Sequence, residues 1–239
     1  MNNLLSGKRS LITGATGGIG KAITLKLANE GCNLILHGQN KKKLQSMKRE
    51  ISSNFDIEVN TFNCDFSNEM TTVKSIRQIV NKFHDISILV NCAGVFPTGE
   101  INETSLDEFD RCFNINLKAI YIISNELFPY MAKRNWGRII NIGSSSSYFG
   151  FKGTAIYCSS KHALLGLSRS MHLEWKEYGI RVHIISPGSV KTKMGRKVKG
   201  QDFKTFIHPD EIAQSVIEII SYDGNMIIDE VRLNRMSIQ

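Results

Sequence analysis

Seven short runs of apolar and β-branched residues punctuate the chain, at 8–13, 33–37, 57–62, 87–91, 138–142, 181–186 and 226–231. Within each run apolar residues follow one another almost without interruption. A strand with one wet face would alternate, so continuous runs predict strands covered on both faces. Between them, apolar positions recur at helical spacing near 18–30, 41–53, 68–84, 105–134, 155–177 and 209–221. The strict alternation of strand and helix predicts an α/β, doubly wound architecture, with a central parallel seven-stranded sheet flanked by helices on both faces. Ligands of such folds bind outside the carboxyl ends of the strands, so chemistry is sought there.

Length and composition narrow the setting. The 239 residues suit one domain with a sizeable core, and no linker, repeat or change of composition divides residues 1–239. The least regular stretch, 188–208, carries glycine and lysine with little periodicity, and a short substrate loop near 190–208 is expected. Cys32, Cys64, Cys92, Cys112 and Cys158 are odd in number and scattered, without a C-x-x-C pair or zinc spacing. They read as buried thiols in a reducing cytoplasm, not as disulfides or metal ligands. Residues 1–7 hold no apolar signal core and no run approaches a membrane span, so a soluble cytoplasmic protein is expected. The net charge of +8 is concentrated at Lys41, Lys42 and Lys43 and at Lys191, Lys193, Arg196, Lys197 and Lys199. Neither patch is interleaved with aromatics and no nucleic-acid motif accompanies them, so both read as solvated surface, with no nucleic acid or membrane partner.

Three strand ends and one helix carry the first candidate chemistry. After the first strand, Thr13-Gly14-Ala15-Thr16-Gly17-Gly18-Ile19-Gly20 opens the first helix. Glycines let the backbone turn tightly and approach a pyrophosphate, and the helix start offers free N–H groups and a positive dipole end, so a dinucleotide site of the Rossmann type is expected. The second strand ends Leu36-His37-Gly38-Gln39-Asn40-Lys41, with no carboxylate to bind a ribose 2′-hydroxyl or repel a 2′-phosphate. NADP(H) is therefore favoured over NAD(H). Ser144 follows the fifth strand, where its hydroxyl could donate to a substrate oxygen. Tyr157 and Lys161 stand four residues apart, on one helix face. A phenol with an ordinary pKa near ~10 exchanges protons poorly at neutral pH, and a neighbouring ammonium would lower that value.

In this order these segments resemble the classical short-chain dehydrogenases/reductases. The glycine turn fits both T-G-x-x-x-G-x-G and the T-G-x-x-G-x-x-G of the extended epimerases and dehydratases, because Gly17 and Gly18 are both present. The resemblance implies a Ser144–Tyr157–Lys161 catalytic set, with Asn116 holding a water for a proton relay; Asn114 and Ser145 are the competing positions. It implies dinucleotide contacts from Gly14, Thr16, Gly18, Ile19 and Gly20, from Gln39 and Asp65 at the adenosine, and from Asn91, Ala93 and Gly94 in Asn91-Cys92-Ala93-Gly94, where Cys92 replaces the family's second Asn. Tyr157 and Lys161 would also meet the nicotinamide ribose. Pro187, Gly188, Val190 and Thr192 in Pro187-Gly188-Ser189-Val190-Lys191-Thr192 would meet the nicotinamide.

The implied activity is hydride transfer between a nicotinamide cofactor and a small carbonyl or alcohol substrate, by a homodimer or homotetramer joined through the helices at 105–134 and 155–177. A 3-oxoacyl carrier-protein reductase is one form it could take, with the basic loop docking an acidic carrier; a phosphorylated or carboxylated metabolite would suit the same charges. A non-catalytic dinucleotide sensor and a sugar-nucleotide-modifying short-chain enzyme are the alternatives. The end of the chain, Asp229-Glu230-Val231-Arg232-Leu233-Asn234-Arg235-Met236, departs from the family's usual Gly-Gly.

Overall fold

Seven strands pair in parallel: β1 (Arg9–Thr13), β2 (Asn33–Gly38), β3 (Val59–Asn63), β4 (Ile86–Asn91), β5 (Gly137–Ile142), β6 (Ile180–Pro187) and β7 (Glu230–Leu233). Their order across the sheet is β3-β2-β1-β4-β5-β6-β7, so the sequence in which strands are added reverses between β1 and β4. This computed structural model describes residues 4–198 and 200–236; Lys199 of the basic stretch and the first three residues of the 1–7 segment lie outside them. Helices α1 (Gly18–Asn29), α2 (Lys41–Asn54), α3 (Glu69–Lys82), α4 (Leu106–Phe113), α5 (Ala119–Lys133), α6 (Ala155–Trp175) and α7 (Pro209–Ile220) connect them. Polar caps start several: Asn40 accepts from Lys43 N at 2.9 Å and Asn68 from Thr71 N at 2.9 Å.

The apolar runs follow from two cores. Leu11, Ile35, Leu89, Ile139 and Val182 point to one face and pack with α3 and α5. Their neighbours Ile12, Leu36, Val90 and Ile140 point to the other and pack with α1, α2 and α7. Successive residues thus enter opposite cores, which removes the polar half of the usual alternation. Among the described residues no helix is long and apolar enough to cross a membrane.

Two elements differ from expectation. The last strand begins at Glu230 rather than at 226. The carbonyls before it are taken by side chains: Arg181 Nη1 donates to Met226 O at 3.2 Å, and His183 Nδ1 to Ile228 O at 2.7 Å. Met226 and Ile228 stay exposed, so their hydrophobicity marks no buried strand. The helix expected at 105–134 is two helices joined by a π-helical turn, Asn114–Lys118. Such turns insert one residue and re-aim a side chain, often at functional sites.

His37 and His183 are buried in β2 and β6, and burial pulls both down to about 4 from 6.5. The unfolded chain therefore takes up two protons, between pH 6.5 and about 4, that the folded chain refuses. Stability is expected to fall with pH across that window, each histidine adding a slope approaching about 1.4 kcal/mol per pH unit. Denaturant unfolding at pH 7 and pH 5 measures the loss; a His183→Gln protein showing the full wild-type slope would contradict it.

Candidate functional site

The site is built where β1 and β4 part. Thr13 ends β1 with a buried hydroxyl that donates to Val90 O at 3.4 Å and accepts from Cys92 N at 3.0 Å and Ala93 N at 3.1 Å. It ties the glycine turn to the segment after β4. Gly14 has a φ of +65°, and a Cβ there would lie 2.8 Å from Ala93 N. Both the left-handed backbone and the close approach demand glycine. A Cβ on Gly18 would lie 2.5 Å from Thr192 Cγ2, so the loop after β6 closes onto the start of α1. No side chain caps that helix at Gly17. The uncapped N–H groups and Cβ-free walls form a cradle that fits a pyrophosphate. Ile19 packs partly buried against the core behind it.

The segments that follow β2 and β3 are ordered by polar contacts. Gln39 Nε2 donates to Asp65 Oδ1 at 2.8 Å, which also accepts from Ser67 N at 2.9 Å. Against the rise burial would cause, these hydrogen bonds hold the Asp65 carboxyl below its ordinary value. Asn63 Nδ2 binds Gly38 O at 2.8 Å and Gln39 O at 2.6 Å. Thr16 faces Gly38, where a Cβ would meet Thr16 Oγ1 at 3.3 Å. Lys41, Lys42 and Lys43 are exposed at the start of α2 beside this segment.

At the far side of the switch point, Asn91 Nδ2 donates to Asn141 Oδ1 at 2.8 Å and leaves its own buried Oδ1 without a protein partner. Gly94 faces Asn116, with Asn116 Oδ1 3.3 Å from a Cβ placed there. Asn116 occupies the π turn, fully buried. Its Oδ1 accepts from Val95 N at 2.9 Å, and its Nδ2 donates to Val95 O at 3.0 Å and Ser160 Oγ at 3.1 Å. The competing Asn114 is aimed elsewhere, donating to Ser67 O at 2.8 Å. The Asn116 clamp fixes the chain where Phe96 follows, and that ring meets Tyr157 edge-on with centroids 4.7 Å apart.

Ser144, Tyr157 and Lys161 converge at the ends of β5 and α6. Ser144 begins a short turn, its Oγ accepting from Ser146 N at 3.1 Å while Ser147 Oγ accepts from Ser144 N at 3.2 Å. Burial pushes the Tyr157 phenol up to about 12, and the neighbouring Ser144 hydroxyl opposes that rise. Ser144, not Ser145, is therefore the serine at the phenol. Burial draws Lys161 down to about 8. Its Nζ donates to Ile142 O at 2.7 Å and lies 5.8 Å from the centre of the Tyr157 ring. The phenol is thus governed by burial and Ser144 in this arrangement, and the expected depression by the lysine is not seen. Pro187 ends β6; Gly188 N donates to Leu233 O at 2.8 Å, and Val190 bridges Ile207, with Lys191 N donating to Ile207 O at 2.9 Å. The loop expected to be irregular is anchored: Phe206 is buried and Arg235 Nη1 donates to Thr205 Oγ1 at 2.8 Å.

The sequence pointed to Thr13 only as the first residue of the glycine motif and gave Phe96 and Ser160 no part in this site. Thr13 was visible as a hydroxyl at a strand end, but Phe96 and Ser160 carry signals only in three dimensions.

A parallel sheet with an uncapped glycine cradle at its switch point is the architecture of a dinucleotide-binding protein. Residues 8–202 match the family model of short chain dehydrogenases, and the chain belongs to that family. It is 33% identical over 232 residues, 93% of each chain, to a 3-oxoacyl-[acyl-carrier-protein] reductase of Rickettsia conorii. It is 29% identical to the reductase of the same name from Thermotoga maritima, over 95% of this chain and 96% of the relative. A metagenomic short-chain oxidoreductase solved in complex with NADP superposes with a TM-score of 0.84 at 30% identity, covering 97% of this chain and 99% of that one. An alcohol dehydrogenase from Thermococcus sibiricus, complexed with 5-hydroxy-NADP, gives 0.88 at 25% identity over 98% of both chains. The protein is accordingly an NAD(P)-dependent oxidoreductase acting between alcohol and carbonyl groups.

Proposed function

We propose that the enzyme reduces the carbonyl of a 3-oxoacyl thioester presented by an acidic carrier, with NADPH as reductant. The observation that carries the chemistry is the meeting of Ser144 and Tyr157 beside Lys161 at the carboxyl end of the sheet. When bound, the nicotinamide supplies hydride. Ser144 Oγ polarises the substrate oxygen, and the Tyr157 phenol gives that oxygen its proton. Held near 12, the phenol keeps its proton at neutral pH, the form that reduction requires. Lys161 grips the nicotinamide ribose and returns a proton to Tyr157, assisted by a water that the Asn116 turn holds.

The cofactor preference is supported by Gly38, which brings no carboxylate to the ribose, and by the exposed Lys41, Lys42 and Lys43. Gly14, Thr16, Gly18, Ile19 and Gly20 take the pyrophosphate, and Gln39 and Asp65 the adenosine. Asn91, Ala93 and Gly94 form the floor, with Pro187, Gly188, Val190 and Thr192 at the nicotinamide. The carrier is supported by the names of the relatives and by the basic residues Lys191, Lys193, Arg196 and Lys197 on the loop after β6. Exposed Leu106 and Phe109 on α4, Tyr121 on α5 and Leu173 on α6 support assembly into a homodimer or homotetramer. Five free cysteines support a reducing cytoplasmic setting.

Absorbance loss of NADPH and of NADH, measured with 3-oxoacyl thioesters beside simple ketones and aldehydes, tests this. Faster turnover of the thioester with NADPH is expected. Turnover of simple carbonyls alone would remove the carrier substrate, and turnover with NADH alone would reverse the cofactor.

A further inference from the structure

His37 is assigned no cofactor contact, yet it sits between the two halves of the dinucleotide site. It lies near the end of β2 and is 2% exposed. Its main-chain carbonyl accepts from Ala15 N at 2.9 Å, on the glycine turn. Its ring reaches both ways: Nε2 is 3.0 Å from Cys64 O and Nδ1 is 3.4 Å from Gly14 N. A carbonyl only accepts, so Nε2 carries the hydrogen and the Nδ1 lone pair receives the Gly14 N–H. The ring is fixed by stacking on Phe66, centroids 3.9 Å apart and planes 12° from parallel, with Phe62 tilted against it at 5.4 Å. Burial keeps it neutral, at about 4, which preserves the one tautomer that satisfies both neighbours.

Each neighbour leads directly to a cofactor contact. The ring holds the Thr13–Gly14 peptide, and the His37 main-chain carbonyl holds the next, Gly14–Ala15, whose own carbonyl accepts from Gly17 N at 2.9 Å at the entry into α1 and its uncapped N–H groups. Cys64 precedes Asp65, whose carboxylate accepts from Gln39 and Ser67. One imidazole therefore spans the phosphate end and the adenosine end.

We propose that His37 is a positioning residue for the dinucleotide, a neutral Nε2–H imidazole that holds the glycine turn and the adenosine-side segment at a fixed separation; the inference rests on the dinucleotide reading of this site. Without it, the Gly14 N–H and the Cys64 carbonyl lose their shared partner, and binding must reorder the two segments it now finds in place.

The test is the dissociation constant for NADPH, from fluorescence titration of the wild type, His37→Phe and His37→Gln, with kcat at saturating cofactor and Tm measured in parallel. Phenylalanine keeps the stack and removes both hydrogen bonds; glutamine carries an acceptor and a donor at comparable separation. The expected result is weaker binding by about tenfold in His37→Phe, substantial recovery in His37→Gln, and a change in kcat much smaller than the change in affinity. Unchanged affinity in His37→Phe, or equal losses in both variants, would overturn the role. The wild type offers a reading that needs no variant: ¹⁵N resonances of His37 should show Nδ1 unprotonated and should move when NADPH is added. A protonated Nδ1, or resonances blind to the cofactor, would overturn it too. Failure of the wild type to bind either NADPH or NADH would strike the dinucleotide reading itself, a result distinguishable from normal wild-type binding with an insensitive His37→Phe.

Discussion

A Tyr157→Phe enzyme is expected to fold normally, to bind NADPH within a few-fold of wild type through the contacts that remain, and to turn over about a thousandfold more slowly. The ring stays, and with it the edge-on contact to Phe96 at 4.7 Å between centroids. What disappears is one O–H, the group at the convergence of Ser144 and Lys161 that delivers a proton to the substrate oxygen in the proposed mechanism. Ser144 keeps its bond from Ser146 N at 3.1 Å, so the turn after β5 persists. The loss should therefore fall on kcat, with the NADPH dissociation constant and Tm near wild type. Activity within tenfold of wild type would end the acid role of Tyr157. A Ser144→Ala enzyme, intact in the proton donor, should lose less.

The second large effect is expected at Gly20, on the fold as much as on the cofactor. A Cβ on Gly20 would lie 2.2 Å from Gly14 O and 3.2 Å from Ala15 Cα. Both are backbone atoms of the turn that must stay closed for α1 to start where it does. Nothing flexible can yield, so Gly20→Ala must push the helix and turn apart, at a cost of about 2–3 kcal/mol of stability. NADPH affinity should fall by tenfold or more, because the cradle opens. Gly18→Ala separates the two consequences. Its Cβ would meet Thr192 Cγ2, the far end of a side chain on a loop, which can move. Stability should change by less than about 1 kcal/mol, while the added methyl still occupies the cradle and weakens NADPH binding. Denaturant unfolding with a binding titration reads both quantities. Equal stability of the two variants would show that the Gly20 approach is not the constraint described.

The architecture was legible in the order of residues because burial on both faces leaves a local trace. Leu11 and Ile12 enter opposite cores yet are adjacent in the chain, so the doubly covered sheet is written as uninterrupted apolar runs. Where burial is not the organising force, the trace misleads. Met226 and Ile228 look like strand residues and are exposed, because Arg181 and His183 take the carbonyls of that segment before a ladder can form. The interruption of the helix expected at 105–134 follows the same logic. Asn114 and Asn116 are weak helix formers, but the π turn exists because Asn116 reaches Val95 and Asn114 reaches Ser67, and neither contact has a local signature.

By itself, then, the sequence determined the class of fold, the strand ends at which chemistry collects and the glycine positions, which depend on periodicity and on short-range steric need. The proposed Ser144, Tyr157 and Lys161 set was legible through the resemblance of its motifs to the family's. The tertiary structure alone decided the environments. It buried Tyr157 and Lys161 so that one rises to about 12 and the other falls to about 8. It aimed Lys161 at the Ile142 carbonyl, brought Thr192 onto Gly18, and set His37 between Gly14 and Cys64. Each of these is a meeting of residues distant along the chain, and desolvation and hydrogen-bond geometry take their values only once such residues have been brought together.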